Sequence, residues 1–356
     1  MKINHSFFSN LAFNLAEKHL GQTKKNPSVG CIVVKENSVI SSGVTSINGR
    51  PHAEFNALSK KLDFKNSTMY VTLEPCTHYG LTPPCTNIIK KKKIKNVYYT
   101  FNDPDKRTNK KAKKVLKKIT KLNNIGIEHL NFYKSYFINQ NQKLPLIDAK
   151  IAISKDFYTI SKNNKWITNS RSRQIAHLIR SKYDCVVSTS ESINKDNSLL
   201  NCRIKGLDNN KPDLIIIDRN LRIKSDLKLF KIAKKRKTYL FTISKDRKKI
   251  SYLKKKNIKV IRINKLESKD DFKGLFKKIF NIGKGRVLIE SGLVFLNKLL
   301  MYKFVNELYI FKSKVFLKNK GYNKTNIKFI KKLKFNNQIN VNLNNDKLFR
   351  IRINHV

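Results

Sequence analysis

Apolar residues near the start of the chain recur at helical spacing. Phe8, Leu11, Ala12, Leu15 and Ala16 share one face, interrupted by Asn10, Asn14, Glu17 and Lys18, and predict a helix over 4–20. Two apolar runs follow, Val29 to Val34 and Val39 to Val44. They flank the turn-like Lys35-Glu36-Asn37-Ser38 and predict a pair of strands. A helix is expected from His52, with Ala53, Phe55, Ala57 and Leu58 as its apolar positions. The β-branched and apolar run Thr68 to Leu73 predicts a buried strand. Pro75 suits the first turn of a further helix, where its missing N–H costs nothing. Val97 to Phe101 then predicts a strand, and Lys106 to Lys121 a Lys-rich helix. The alternation is that of a layered α/β unit.

A seam falls at Pro145, after the polar stretch Asn139-Gln140-Asn141-Gln142-Lys143. Beyond it the alternation restarts. Strands are expected near 146–153, 185–188, 213–218, 238–243, 259–263, 286–290 and 306–311, with helices near 170–181, 269–280 and 292–302. The last fifty residues look strand-rich. No internal repeat is visible, so the halves are two different α/β domains, 1–144 and 145–356. A length of 356 residues agrees with two domains.

Charge alters this picture less than its size suggests. Lys and Arg number 76 against 24 Asp and Glu, a net +52, which points first to nucleic acid. The excess is mostly Lys, scattered in runs such as Lys90 to Lys93 and Lys254 to Lys256, without interleaved aromatics. Lysines on solvated faces account for it, and nucleic-acid binding is not expected. Residues 1–20 contain no uninterrupted apolar core of a signal peptide. No segment approaches the ~18 apolar residues of a membrane span. Five irregularly spaced cysteines (Cys31, Cys76, Cys85, Cys185 and Cys202) make no disulfide framework. A cytoplasmic protein is expected.

The chemistry concentrates in His52-Ala53-Glu54 and in the segment from Leu73-Glu74-Pro75-Cys76 to Thr82-Pro83-Pro84-Cys85. Catalytic zinc takes three protein ligands and leaves the fourth position to water. His52, Cys76 and Cys85 can converge if two helices lie side by side on one sheet. A helix N-terminus would favour a thiolate at Cys76. Glu54, two residues from His52, would carry protons between the water and the group attacked, as in zinc deaminases. A buried cysteine pair without metal is the alternative reading.

The segment Leu73-Glu74-Pro75-Cys76-Thr77-His78-Tyr79-Gly80-Leu81-Thr82-Pro83-Pro84-Cys85, with Asn26-Pro27-Ser28-Val29-Gly30 upstream, resembles the bifunctional deaminase–reductase family of riboflavin biosynthesis, RibD. Eight residues separate Cys76 from Cys85, rather than the two of the C-x-x-C deaminases. The resemblance covers essentially the whole chain. It implies a cytidine-deaminase-like αβα domain over 1–144, with one catalytic Zn2+ on His52, Cys76 and Cys85. Glu54 would be the proton shuttle, and Asn26, His78 and Asp103 would lie at the substrate. It implies a dihydrofolate-reductase-like domain over 145–356 that uses NADPH.

The implied substrate is a small pyrimidine ribosylamine 5′-phosphate, deaminated first and then reduced at the ribose. A homo-oligomer is compatible with the resemblance. The implied reductase substrate residues are Asn164, Arg180, Leu200, Arg203 and Glu290, and the cofactor residues Ala152, Trp166, Ser192, Asp196 and Gly292. Arg180 and Arg203 suit a bidentate grip on phosphate. The turn Glu290-Ser291-Gly292 would offer backbone N–H groups to a dinucleotide phosphate.

Four departures stand out. Leu81 occupies a position where the family usually has Arg or Lys. A Lys-rich stretch replaces glycines after Asp103-Pro104. Phe157 and Tyr158 replace a glycine and a basic residue, so that a displaced backbone is expected at Phe157. Thr189 and Glu191 replace glycines, and Glu191 would repel a cofactor phosphate. A deaminase that has lost reduction, or an RNA-binding protein on a deaminase fold, are the rival expectations.

Overall fold

In the computed structural model, which describes residues 4–122, 127–207 and 212–353, the chain divides into two units, Met1–Leu144 and Pro145–Val356. The first begins with α1 (His5–Glu17), capped where the Asn4 side chain accepts the Phe7 N–H. There follow β1 (Gly30–Lys35), β2 (Ser38–Val44), α2 (Ala53–Leu58), β3 (Thr68–Leu73), α3 (Cys85–Lys91), β4 (Asn96–Phe101), α4 (Ala112–Val115) and β5 (Ile119–Lys121). Two helices close the unit, α5 (Ile127–Phe132) and α6 (Lys134–Gln142). The sheet order is β2-β1-β3-β4-β5. β1 runs antiparallel to β2 and β3, whereas β3, β4 and β5 are parallel. β1 and β3 are buried along nearly their whole length, which explains their continuous apolar runs.

Glycine lets the layers approach. A Cβ on Gly30 would lie 1.9 Å from the Ala12 carbonyl oxygen, and one on Gly43 2.3 Å from that of Ala53. α1 and α2 therefore sit backbone to backbone on the sheet. The core joins Phe13, Val33, Leu58, Met69, Val71 and Tyr133.

The second unit contains β6 (Leu146–Ile153), β7 (Ile160–Ser161), α7 (Ser170–Ser181), β8 (Cys185–Thr189), α8 (Ser190–Asp196), β9 (Asp213–Ile217), α9 (Leu229–Ile232) and β10 (Thr238–Thr242). It continues with α10 (Arg247–Lys255), β11 (Ile258–Arg262), α11 (Lys269–Asn281), β12 (Arg286–Ile289), α12 (Leu293–Met301) and β13 (Glu307–Lys312). The remainder is β14 (Gly321–Tyr322), α13 (Lys328–Lys332), β15 (Gln338–Ile339) and β16 (Lys347–Arg352). Nine strands form one sheet in the order β11-β10-β9-β8-β12-β6-β13-β16-β15. The run from β11 to β13 is parallel, and β16 pairs antiparallel with both neighbours. Among the described residues no helix is long and apolar enough to cross a membrane.

Three expectations are corrected. No helix starts at Pro75, because the backbone there turns into a loop that ends only at Cys85. The helix expected over 106–121 shrinks to four residues, and Ile119–Lys121 becomes the edge strand β5. Ala112, Leu116 and Ile119 do keep helical spacing, but Leu116 already has extended backbone (φ -113°, ψ 113°), and Ile119 pairs with Val97 in the sheet instead of closing another helical turn. Among the described residues of the last fifty, only β13 and β16 are strands longer than two residues. Missing from the sequence expectations are α3, α5, α6, α8, α9, α10 and α13.

The α1–β1 contact has a direct test. Gly30→Ala should destabilise the first unit by about 1–3 kcal/mol, the usual cost of overpacking, read as a lowered melting temperature. An unchanged melt would mean that α1 does not rest on β1 as described.

Candidate active site

The sheet of the first unit delivers three soft ligands to one place. His52 is the N-cap of α2 in extended backbone, and its side chain makes no capping bond. Cys76 follows the end of β3, and Cys85 is the first residue of α3, capped by Pro84. α2 and α3 pack against each other. The ligand atoms lie within 4.8 Å of one another. His52 Nδ1 is 3.6 Å from Cys76 Sγ and 3.5 Å from Cys85 Sγ. Tetrahedral zinc with ordinary Zn–S and Zn–N bonds requires a spacing of about 3.5 Å, so this donor set fits zinc.

The helix N-terminus belongs to Cys85, not to Cys76. Cys76 nevertheless benefits from it, because the Cys85 N–H donates to its sulfur at 3.2 Å. The Cys85 thiol first, and then His52, hold the Cys76 thiol well below its ordinary range against the effect of burial. Cys85 is pushed up, first by its bond to Cys76 and then by burial. His52 is raised, chiefly by its bond to Cys76. Glu54 is buried, and its charge helps to push the Cys85 thiol up. Burial, followed by the Cys76 charge, lifts its carboxyl to about 7.

The surrounding residues are held from several elements. Asn26 donates its amide to Gly49 O at 2.8 Å, which leaves Oδ1 without a partner among the described residues. His78 Nδ1 lies 3.0 Å from Thr108 Oγ1. Asp103 accepts from the Asp105 N–H and from Tyr136 on α6, and burial raises its carboxyl to about 6. Leu81 is 89% exposed, and Arg50 Nη1 reaches across its loop to Thr82 Oγ1 at 2.5 Å.

Sequence reasoning missed Glu74, Tyr136 and Arg50. The buried Glu74 accepts three backbone N–H groups, from Asp103 and Lys110 at Oε2 and from Ala112 at Oε1. The aromatic spacing Phe132, Tyr133, Tyr136, Phe137 was a helical signal for α6.

In the second unit the expected residues separate into two kinds. Glu290 is buried and holds Arg180 through two bonds, Oε1 to Nε at 2.5 Å and Oε2 to Nη2 at 2.9 Å, with Lys150 Nζ at 3.4 Å. Arg180 also donates to Asn201 O. Its guanidinium is thus largely engaged inside the fold, whereas Arg203 lies outside that pair. Arg203 is exposed and bonds Asn201 Oδ1 at 2.7 Å. Leu200 is buried with φ 50°. Its loop is clamped by Arg236, which donates to the carbonyls of Leu199, Leu200 and Pro212 and was also missed.

Asn164 and Trp166 are exposed, and the Trp166 ring stacks under Arg173 at 5.0 Å. Ala152 lies on β6, and Asp196 closes α8. Gly292 caps α12 without a side-chain bond, and its N–H meets Ser192 Oγ at 3.1 Å. Phe157 itself adopts a left-handed φ of 67°, with Lys312 4.3 Å above its ring and Phe335 beside it. Glu191 is paired with Lys324, so the expected repulsion is offset.

A cluster of one histidine and two thiols beside a buried carboxylate defines the first unit as a zinc deaminase domain, joined here to a second α/β domain. Residues 2–101 match the cytidine and deoxycytidylate deaminase zinc-binding region, and residues 145–318 match the RibD C-terminal domain. The chain is 31% identical over 318 residues to the riboflavin biosynthesis protein RibD of Aquifex aeolicus, covering 85% of each. With that of Buchnera aphidicola it shares 33% identity over 324 residues, 86% of each. The chain belongs to the RibD family. A solved structure of Acinetobacter baumannii RibD has the same fold, with a TM-score of 0.82 over 98% of each chain at 24% identity.

The Glu290 pair has a pH signature. Burial alone would raise Glu290, but Arg180 and then Lys150 outweigh it and hold the carboxyl at about 2. A carboxyl depressed in the folded state stabilises the fold above its unfolded value of about 4.3. That contribution fades as pH falls towards 2. Glu290→Gln should cost about 3–5 kcal/mol near neutrality, by leaving buried cations unpaired. It should also flatten the acid side of the stability curve. Denaturant titrations at pH 3, 5 and 7 check both, and an undiminished acid slope in the variant would refute the assignment.

Proposed function

We propose that the first unit hydrolytically deaminates a 2,5-diamino-6-ribosylaminopyrimidinone 5′-phosphate and that the second reduces the ribosyl group with NADPH, giving the ribitylamino product. The observation that carries the first half is the convergence of His52, Cys76 and Cys85 with Glu54 buried beside them. One zinc per chain on those three residues would supply Lewis acidity that makes water nucleophilic at neutral pH. Glu54 takes the proton from the attacking water and returns it to the leaving amine, so that water is consumed and ammonia released. Asn26 Oδ1 accepts from a ring or exocyclic N–H. Asp103, fixed by Tyr136, and His78, beside Thr108, line the substrate. Both RibD-family domains support the bifunctional reading.

For the second half, Arg203 receives the substrate phosphate and Glu290 keeps Arg180 and Lys150 in place behind it. NADPH, when bound, supplies the hydride. The uncapped N-terminus of α12 at Gly292, with Ser192 opposite, suits its phosphates; Ala152, Trp166 and Asp196 are the further expected cofactor contacts, and Asn164 and Leu200 expected substrate contacts. Lys324 keeps Glu191 from opposing that charge. The substrate is a small molecule, and neither nucleic acid nor membrane is required.

Turnover of the diaminopyrimidine phosphate with and without NADPH tests both halves. Glu54→Gln should retain zinc by metal analysis yet lose at least ~10²-fold in ammonia release, the usual worth of a general acid–base. A metal-free wild type, or a fully active variant, contradicts the reading. Arg203→Ala should abolish oxidation of NADPH by the deaminated product while ammonia release continues. If the wild type oxidises no NADPH with millimolar cofactor and saturating product, the second unit is not a reductase.

A further inference from the structure

The loop Gly80–Thr82 joins the two thiol ligands, and its central side chain is an exposed leucine, Leu81, which offers an anion nothing. Across from it stands a guanidinium from a different segment. Arg50, two residues before His52, donates Nη1 to Thr82 Oγ1 at 2.5 Å. Its Nη2 lies 3.4 Å from the point where a Cβ on Gly80 would sit. Arg50 therefore spans from the His52 segment to the segment that ends in Cys85.

Its only hydrogen-bond partner among the described residues is this neutral hydroxyl, so its charge is uncompensated and four N–H donors remain. The neighbouring Arg107 differs, because Asp105 already binds its guanidinium at Nε and Nη2. Lys106 and Lys110 are exposed chains with no side-chain bond to fix them. Among the described residues, Arg50 is the cation near the thiol loop that is both held in place and unpaired.

We propose that Arg50 is the specificity-determining residue that receives the phosphate of the deaminase substrate, in place of a cation on the Gly80–Thr82 loop. This rests on the deaminase reading given above. A planar fork of donors suits a phosphate, and a fixed guanidinium loses little freedom on binding it.

Arg50→Gln separates charge from loop bracing, because glutamine keeps an amide donor for Thr82. The ratio of kcat/KM for the phosphorylated pyrimidine to that for its phosphate-free nucleoside should fall about 10- to 100-fold, the usual worth of a charge-assisted bond. The loss should appear mainly in KM, with zinc content unchanged. Adding Leu81→Arg to Arg50→Gln should recover part of the ratio. Calorimetry with ribose 5-phosphate on the zinc-loaded protein should show a similar weakening. A variant that slows both substrates equally and binds ribose 5-phosphate like the wild type would make Arg50 a loop brace and overturn the proposal. If the wild type turns over neither substrate, the deaminase reading fails, while calorimetry still decides whether Arg50 holds a phosphate.

Discussion

The carboxylate of Glu74 is the constraint on which the first active site depends. It is buried immediately beyond β3 and answers three backbone N–H groups from the segment 103–112. A buried carboxylate left without such donors would cost several kcal/mol, so strand end and loop are fixed together. Two residues later the chain provides Cys76, and the same loop carries Asp103 and Thr108. Cys76 and Asp103 are thus tied to one electrostatic anchor.

The second unit uses the same device with a different answer. Glu290 also follows directly on a parallel strand, β12, but it is satisfied by Arg180 and Lys150 rather than by amides. Both carboxylates stand where strand carboxyl ends leave the sheet, the region in which α/β proteins assemble their sites. A pair of opposite charges fixes side chains more than backbone. That difference explains why Arg180 is buried and fixed while Arg203, outside the pair, stays exposed.

How much of this was legible in the sequence depended on whether the cause was local. The buried strands read clearly, since Thr68 to Leu73 and Val29 to Val34 need no partner to declare themselves. The cluster of His52, Cys76 and Cys85 was equally plain, because its residue types and order are chemically restrictive. Pro75 misled because a proline that permits a helix does not require one, and Glu74 beside it needed amides from 103–112. The fate of Arg180 was hidden for a related reason: its partner lies 110 positions away. Arg50 was overlooked because its significance lies in the distance to Thr82, 32 positions on. Where a residue's role depended on a distant neighbour, residue type alone could not assign it.

Phe157 shows how such a neighbour can offset a costly backbone. Its left-handed φ of 67° is costly for a residue with a Cβ, on the order of 1–2 kcal/mol. The ring offsets this by lying under Lys312 and against Phe335, with Lys331 5.9 Å away. Glycine would relieve the backbone, but it would strip away those contacts and give the unfolded chain more freedom to lose, worth about 0.4–1 kcal/mol. The gain and the losses are of similar size. The contacts of Lys312 and Phe335 thus hold in place a residue that its own dihedral angles disfavour, and exchange for glycine would leave the fold's stability nearly unchanged while freeing both partners.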